Sequence, residues 1–155
     1  MTEIVICQSE ADFSNALQVT RDYIDWLNMD LSFQKIDDEI ISFPSMYGPP
    51  KGVFLLAIKE GEIAGGVGLR ALENKICEMK RLFVYDRFRK GGTGRLLCCE
   101  LINRAGILEY SKMRLDTLGS MTPALNLYKK LGFVQIEAYR YNPDPSAVYM
   151  ERDLL

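Results

Sequence analysis

Arg89-Lys-Gly-Gly-Thr-Gly-Arg95 is the stretch on which the fold of this chain turns. It follows a stretch, Ile76 to Tyr85, that reads as a strand. It precedes a stretch, Gly94 to Glu109, that reads as a helix with Leu97, Leu101, Ala105 and Leu108 on one face. Glycines let a backbone turn sharply and approach a ligand closely. The first turn of the helix behind them has N–H groups without intrahelical partners and the positive end of the helix dipole. Together they make a cradle for a phosphate. Arg89, Lys90 and Arg95 add charge that suits a pyrophosphate and a ribose phosphate. The alternative is a glycine-rich turn that merely starts a helix.

Two familiar phosphate fingerprints do not fit. The string G-x-x-x-x-G-K-[ST] does not occur. G-x-G-x-x-G fails because Gly92-x-Gly94 is followed by Leu97. The pattern that remains is R-x-x-G-x-G, read as Arg89-x-x-Gly92-x-Gly94.

Working outward, Glu3 to Cys7 reads as a short strand, and Ser9 with Asp12 forms a Ser-x-x-Asp capping pattern. Phe13, Leu17, Ile24 and Leu27 then recur at helical spacing. A second helical stretch covers about Gln34 to Ile41. Phe43-Pro-Ser-Met-Tyr-Gly-Pro-Pro50 is expected to be an irregular loop with two exposed aromatics. Val53 to Lys59, the turn Glu60-Gly61 and Ile63 to Leu69 read as a hairpin. After the long helix, Met113 to Thr117 reads as a strand. Thr122 is expected to cap a helix with Pro123 in its first turn and Gly132 at its end. Phe133 to Ala138 and Val148 to Leu154 read as two last strands, with the turn Asn142-Pro-Asp-Pro145 between them. The order β-α-α-β-β-β-α-β-α-β-β describes a mixed α+β sheet domain.

Length and composition narrow the chemistry. The 155 residues fit one domain, 1–155, large enough to bury a core without a metal or disulfide staple. A net charge of −2 with both signs interspersed gives no basic footprint for nucleic acid. There is no histidine, and Cys7, Cys77, Cys98 and Cys99 show no C-x-x-C spacing. The usual Cys/His zinc site is thereby excluded, as are Ser-His and Cys-His nucleophilic pairs, and no metal is expected. The cysteines read as small core residues in a reducing compartment. The N-terminus lacks a secretory pattern and no apolar run is long enough to span a bilayer. A cytoplasmic protein with no membrane partner is expected.

From Ile76 to Phe133 the chain resembles the GCN5-related N-acetyltransferase (GNAT) family. Cys77-Glu-Met-Lys-Arg-Leu-Phe-Val84 is similar to the family's central strand. Arg89-x-x-Gly92-x-Gly94 is similar to its pyrophosphate loop, and Ala124-x-x-x-Tyr128-Lys-Lys-Leu-Gly-Phe133 to its later helix. The first seventy residues match only in element order. The resemblance implies a single domain with a twisted, mostly antiparallel sheet, splayed after the central strand and flanked by helices. It implies acetyl-CoA as acyl donor and a primary amine of a small molecule or peptide as acceptor, joined in a ternary complex. A homodimer is consistent with the family. A non-catalytic acyl-CoA sensor is the other reading.

By resemblance, the backbone of Leu82, Phe83 and Val84 pairs with the pantetheine arm, and Arg89, Lys90, Gly91, Gly92, Thr93, Gly94 and Arg95 hold the pyrophosphate. Glu78 corresponds to a general base in some members; it equally reads as a strand glutamate paired with Lys80, Arg81 or Arg70. Tyr128 is the expected general acid for the departing thiolate, against a reading as a core tyrosine. Met121 stands where many members have a cofactor-binding asparagine, and Asn126 lies on another helix face. Arg70, Lys80 and Arg81 read mainly as solvated strand charges, with an anion-bearing acceptor as the alternative. Trp26, Phe33, Tyr47 and Tyr141 are expected to rim the acceptor side or to pack the first helices onto the sheet.

Overall fold

A computed structural model describes residues 1–27 and 36–154. Strands β1 (Thr2–Ile6), β2 (Val53–Lys59), β3 (Glu62–Glu73), β4 (Ile76–Val84), β5 (Lys112–Leu118), β6 (Val134–Ile136) and β7 (Ala147–Asp153) form one sheet. Their order is β1-β2-β3-β4-β5-β7-β6. Every neighbouring pair is antiparallel except β4 and β5. Helices α1 (Glu10–Leu27), α2 (Ile36–Ile41) and α3 (Phe43–Met46) precede β2. Helix α4 (Thr93–Ile107) is the crossover between the two parallel strands, and α5 (Thr122–Lys130) follows β5. The helical stretch expected from Gln34 thus begins, among the described residues, at Ile36; Phe33 lies outside them.

Strand β2, Val-Phe-Leu-Leu-Ala-Ile-Lys, is apolar at consecutive positions because both of its faces are covered. Leu55 and Ala57 join Cys77, Met79, Leu97, Leu101, Met113 and Tyr128 on the α4 side. Phe54 and Leu56 join Ala16, Val19, Phe43, Tyr47 and Phe83 on the side of α1 and α3. The sheet is therefore sandwiched, and its central strands carry the core.

Local signals explain most element ends. Ser9 Oγ accepts from the Asp12 N–H at 3.1 Å, and Asp12 Oδ2 accepts from the Ser9 N–H at 3.2 Å, so α1 starts on a reciprocal cap. Glu60 and Gly61 both have positive φ, 54° and 77°, the turn that a right-twisted hairpin favours. Helix α5 ends with Gly132 at φ 90°, where the Phe133 N–H reaches back to the Tyr128 carbonyl at 3.0 Å.

Several expectations fail for identifiable reasons. Phe43–Met46 forms one helical turn, since Pro44 in a first turn sacrifices no hydrogen bond. Phe43 and Tyr47 are buried rather than exposed, packed with each other and with Phe54 at centroid distances of 4.7, 5.3 and 5.5 Å. Thr122 is the first helical residue of α5, not its cap; Met121 holds that place and makes no side-chain capping bond. Strand β6 is only three residues long. Cys7, Cys77 and Cys98 are buried, but Cys99 is exposed on α4. Among the described residues no helix is long and apolar enough to cross a membrane.

Gly68 on β3 lies against the rings that hold α3 to the sheet. A Cβ there would meet Tyr47 Cε1 at 2.6 Å and Phe54 Cδ2 at 3.1 Å. Gly68→Ala is expected to cost about 1–3 kcal/mol through forced displacement of these rings. Urea unfolding should show a lower midpoint at an unchanged slope; an unaltered midpoint would mean the rings can yield freely.

Candidate active site

The site begins with a defect in β4. Gly66 faces Phe83 and Gly68 faces Lys80, so Val67 alone on β3 opposes both Arg81 and Leu82 on β4. This is a β-bulge, and Arg81 takes φ 62° in it, an unfavourable conformation for a residue with a side chain. The bulge resets the alternation of the strand. Cys77, Met79, Leu82 and Val84 all pack toward the α4 core. Lys80 and Arg81 follow one another on the opposite face, where Lys80 approaches Glu78 and Arg81 engages Glu39 of α2.

The same strand then parts from its neighbour. Parallel pairing between β4 and β5 covers only Ile76, Cys77 and Glu78 opposite Lys112, Met113 and Arg114. Beyond that point Phe83 and Val84 keep their β3 partners, Gly66 and Gly65, and Leu82, Phe83 and Val84 have no ladder to β5. Their β5-facing edge offers backbone groups to an extended ligand, as an added strand would use them.

At the end of β4, a 3₁₀ turn over Asp86–Phe88 leads into the glycine loop. Lys90 has φ 68° and Gly92, the residue before α4, has φ 83°. The first helical bond runs from the Leu96 N–H to the Gly92 carbonyl at 3.0 Å. The N–H groups of Thr93, Gly94 and Arg95 come ahead of it and point out of the helix end. A Cβ on Gly92 would find nothing within 4 Å, and one on Gly94 would sit 3.8 Å from Val84 Cγ2 and from Leu127 Cδ2, between the two arms of the split. Thr93 Oγ1 is buried with no hydrogen-bond partner among the described residues. These features fit a pyrophosphate on the loop and a pantetheine arm in the gap. Arg89 is placed differently from Lys90 and Arg95. Its Nε donates to the Val84 carbonyl at 2.8 Å, it pairs with Asp86, and its guanidinium lies over Trp26 at 4.8 Å. Lys59, which carried no signal in the sequence, brings its ammonium 3.5 Å from where a Gly91 side chain would begin.

On the other side of the split, Glu78 is fully buried in a cluster of cations. It accepts from Arg70 Nε at 2.8 Å, from the Tyr139 hydroxyl at 2.7 Å and from Arg140 Nη2, with Lys80 Nζ 3.9 Å away. Burial alone would raise its pKa; Lys80, Arg140 and Arg70 outweigh burial and hold it at about 2. That is opposite to the raised value a base needs at neutral pH. Burial, followed by the Glu78 carboxylate, pushes the Tyr139 hydroxyl up, so it remains a donor. Arg81 is paired bidentately with Glu39, with both contacts at 3.0 Å. Lys80 and Arg81 are each 7% exposed, so the reading of solvated charges is corrected for both: Lys80 shares the Glu78 face by ordinary alternation, and the bulge turns Arg81 onto that face as well. Burial and Arg81 together lower the Lys80 pKa to about 8 against the pull of Glu78 and Glu39.

Tyr128 on α5 reaches the core at the base of the split and packs edge-on to Phe133 at 5.9 Å. Burial, with Cys98, Tyr23 and Asp116 adding to it, drives its pKa well above that of a free phenol. Its hydroxyl therefore carries a proton at neutral pH. Asp116, on β5 past the last pair with β4, has Oδ2 buried without a hydrogen-bond partner among the described residues. Sequence reasoning missed Asp116, Tyr139 and Arg140, because nothing in their local pattern marks them. Of the expected rim aromatics, Trp26 is half exposed beside Phe83, Tyr141 is exposed, and Tyr47 is in the core.

Because the Glu78 pKa is depressed from 4.5 to about 2, its stabilisation is present above pH 4.5 and is lost as pH falls toward 2. The loss is on the order of 3 kcal/mol. Glu78→Gln strands the cations around it and should destabilise the fold strongly at pH 7. The gap from wild type in urea unfolding should shrink as pH approaches 2; a gap independent of pH would contradict the ion-pair assignment.

Comparison with known proteins falls on the same segments. The model of the acetyltransferase (GNAT) family matches residues 20–133. An N-acetyltransferase of Schizosaccharomyces pombe is 39% identical over 145 residues, covering 92% of this chain and 89% of that one. A GNAT acetyltransferase of Staphylococcus aureus superposes with a TM-score of 0.81 at 19% identity, covering all of both chains. The PaiA N-acetyltransferase of Thermoplasma acidophilum, solved in complex with coenzyme A, superposes at 0.71 with 19% identity, covering 97% of this chain and 99% of that one.

Proposed function

We propose a division of labour inside this chain, which belongs to the acetyltransferase (GNAT) family and is an acetyl-CoA-dependent N-acetyltransferase. The donor half comprises the glycine loop and the free edge of β4. The acceptor half is the charged face of β3, β4 and the 139–140 segment. The observation that carries this reading is the break in the β4–β5 ladder directly in front of a helix N-terminus built on Gly92.

Acetyl-CoA supplies a thioester whose acetyl group passes to an amine with release of free thiol. The N–H groups of Thr93, Gly94 and Arg95, with Lys90 and Lys59 nearby, hold the pyrophosphate. The backbone of Leu82, Phe83 and Val84 aligns the arm, and an N–H of that strand polarises the carbonyl. Tyr128 keeps a proton on its hydroxyl and delivers it to the departing thiolate. Glu78 works as the anchor that positions Arg70, Arg140 and Tyr139; its depressed pKa supports this over proton abstraction.

Transfer is direct, within a ternary complex. Three of the cysteines, Cys7, Cys77 and Cys98, are buried, and burial pushes each thiol up to about 12, which leaves them poor nucleophiles. Four free cysteines also suit the reducing cytoplasm. The acceptor is a primary amine of a small molecule or peptide.

Two variants test the donor half. Tyr128→Phe is expected to lower kcat by about a hundredfold, with acetyl-CoA affinity little changed; an unchanged kcat would remove Tyr128 as the acid. Gly92→Asp keeps a residue that tolerates positive φ but puts a carboxylate into the phosphate cradle. Saturating acetyl-CoA should raise the melting temperature of the wild type and leave that of Gly92→Asp unmoved. A normal shift in the variant would mean that the loop is not the phosphate site.

A further inference from the structure

The charges around Glu78 do not balance. At ion-pair distance Arg70, Lys80 and Arg140 share one carboxylate, that of Glu78; Arg81 is matched separately by Glu39. Uncompensated cations are costly where water is excluded. Yet the Lys80 side chain is only 6% exposed. Its ammonium stays 3.9 Å from the nearest Glu78 oxygen, beyond hydrogen-bond reach, with no other ion-pair partner among the described residues. Arg70 engages Glu78 through Nε alone and Arg140 through one terminal nitrogen, so both guanidinium groups retain further donors. Such a set of forks and a point charge is suited to a second carboxylate.

A group of opposite character lies across the split. Asp116 stands on the free stretch of β5, with one oxygen buried and unpartnered among the described residues. It lies two residues past Arg114, the last β5 partner of β4, and so on the face of the sheet that carries Arg114 and Glu78. An ammonium on Asp116 satisfies that oxygen and sets the amine across the split from the free edge of β4.

We propose that the acceptor is an amino acid, or a related amine that itself bears a carboxylate. Its carboxylate docks on Lys80 and the free nitrogens of Arg70 and Arg140, and its amine docks on Asp116. This rests on the transferase reading above and specifies its substrate class. Lys80 and Asp116 are then specificity-determining residues at opposite ends of one small substrate.

The test is acetylation of matched amines by the whole chain with acetyl-CoA, reading out free thiol. The panel holds L-amino acids including aspartate and glutamate, the C-terminal amide of each, O-phosphoethanolamine and spermidine. Free acids should exceed their amides at least about tenfold in kcat/KM, mainly through KM. Lys80→Met should collapse that ratio toward unity while the melting temperature and its shift with acetyl-CoA are retained, since an apolar stem replaces a buried cation. Asp116→Asn should raise KM for every amine. Amides or spermidine used as well as the free acids would overturn the inference and leave the transferase reading standing. A preference for O-phosphoethanolamine over all amino acids would overturn the carboxylate assignment. A melting shift with acetyl-CoA but no amine acetylated would overturn the transferase reading and the inference with it.

Discussion

Between Gly66 and Gly68 the register of β3 against β4 slips by one residue, and the rest of the site depends on that slip. A bulge raises local twist and bends the strand that carries it. The last pair between β4 and β5 is Glu78 with Arg114, three residues before Arg81. The strand thus turns away just where its parallel neighbour would otherwise continue the ladder. The cost is a side-chain-bearing residue at φ 62°, held there by the bidentate pair of Arg81 with Glu39. What it yields is an unpaired backbone edge in the middle of a sheet, a place where backbone polar groups are otherwise satisfied.

The bulge also divides the electrostatics. On the α4 side of β4 the residues are apolar: Cys77, Met79, Leu82 and Val84. On the other side Glu78, Lys80 and Arg81 are gathered under the first helices and the 139–140 segment. The proposed donor half relies on backbone N–H groups and a helix end, which need no particular side chain. The proposed acceptor half relies on side-chain charge in a dry setting, where each pair interacts strongly and each unmatched group is exposed to its full desolvation cost. Loss of Glu78 therefore concerns stability as much as specificity.

The buried tyrosines have a common logic. Tyr128 and Tyr139 both have hydroxyls pushed up by burial first, with Cys98 next for Tyr128 and the Glu78 carboxylate next for Tyr139. A phenol held neutral in this way is a donor at any working pH. Tyr139 donates to a fixed carboxylate, whereas Tyr128 lies in the α4-side core and is the acid of the proposed mechanism.

Local pattern in the chain by itself determined the element order apart from α3, the reciprocal cap at Ser9 and Asp12, the Glu60-Gly61 hairpin, the Gly132 terminus and the glycine loop with its helix. These rest on interactions within a few residues, and so they leave a trace in neighbouring positions. Resemblance of three short segments then pointed to the family, a conclusion that the match over residues 20–133 supports. Only the tertiary structure decided that Phe43 and Tyr47 are core, that Lys80 and Arg81 are buried on one face, and that Glu78 is clamped by Arg70, Tyr139 and Arg140. Tyr139 and Arg140 lie 61 and 62 residues from Glu78, and Arg81 lies 42 from Glu39. Periodicity assigns a strand residue to a face only while alternation holds, and one extra residue in β4 reverses the assignment for everything beyond it. The glycine loop was legible because its geometry is backbone and local; the charged cluster around Glu78 was not, because its charges meet only after the sheet has formed.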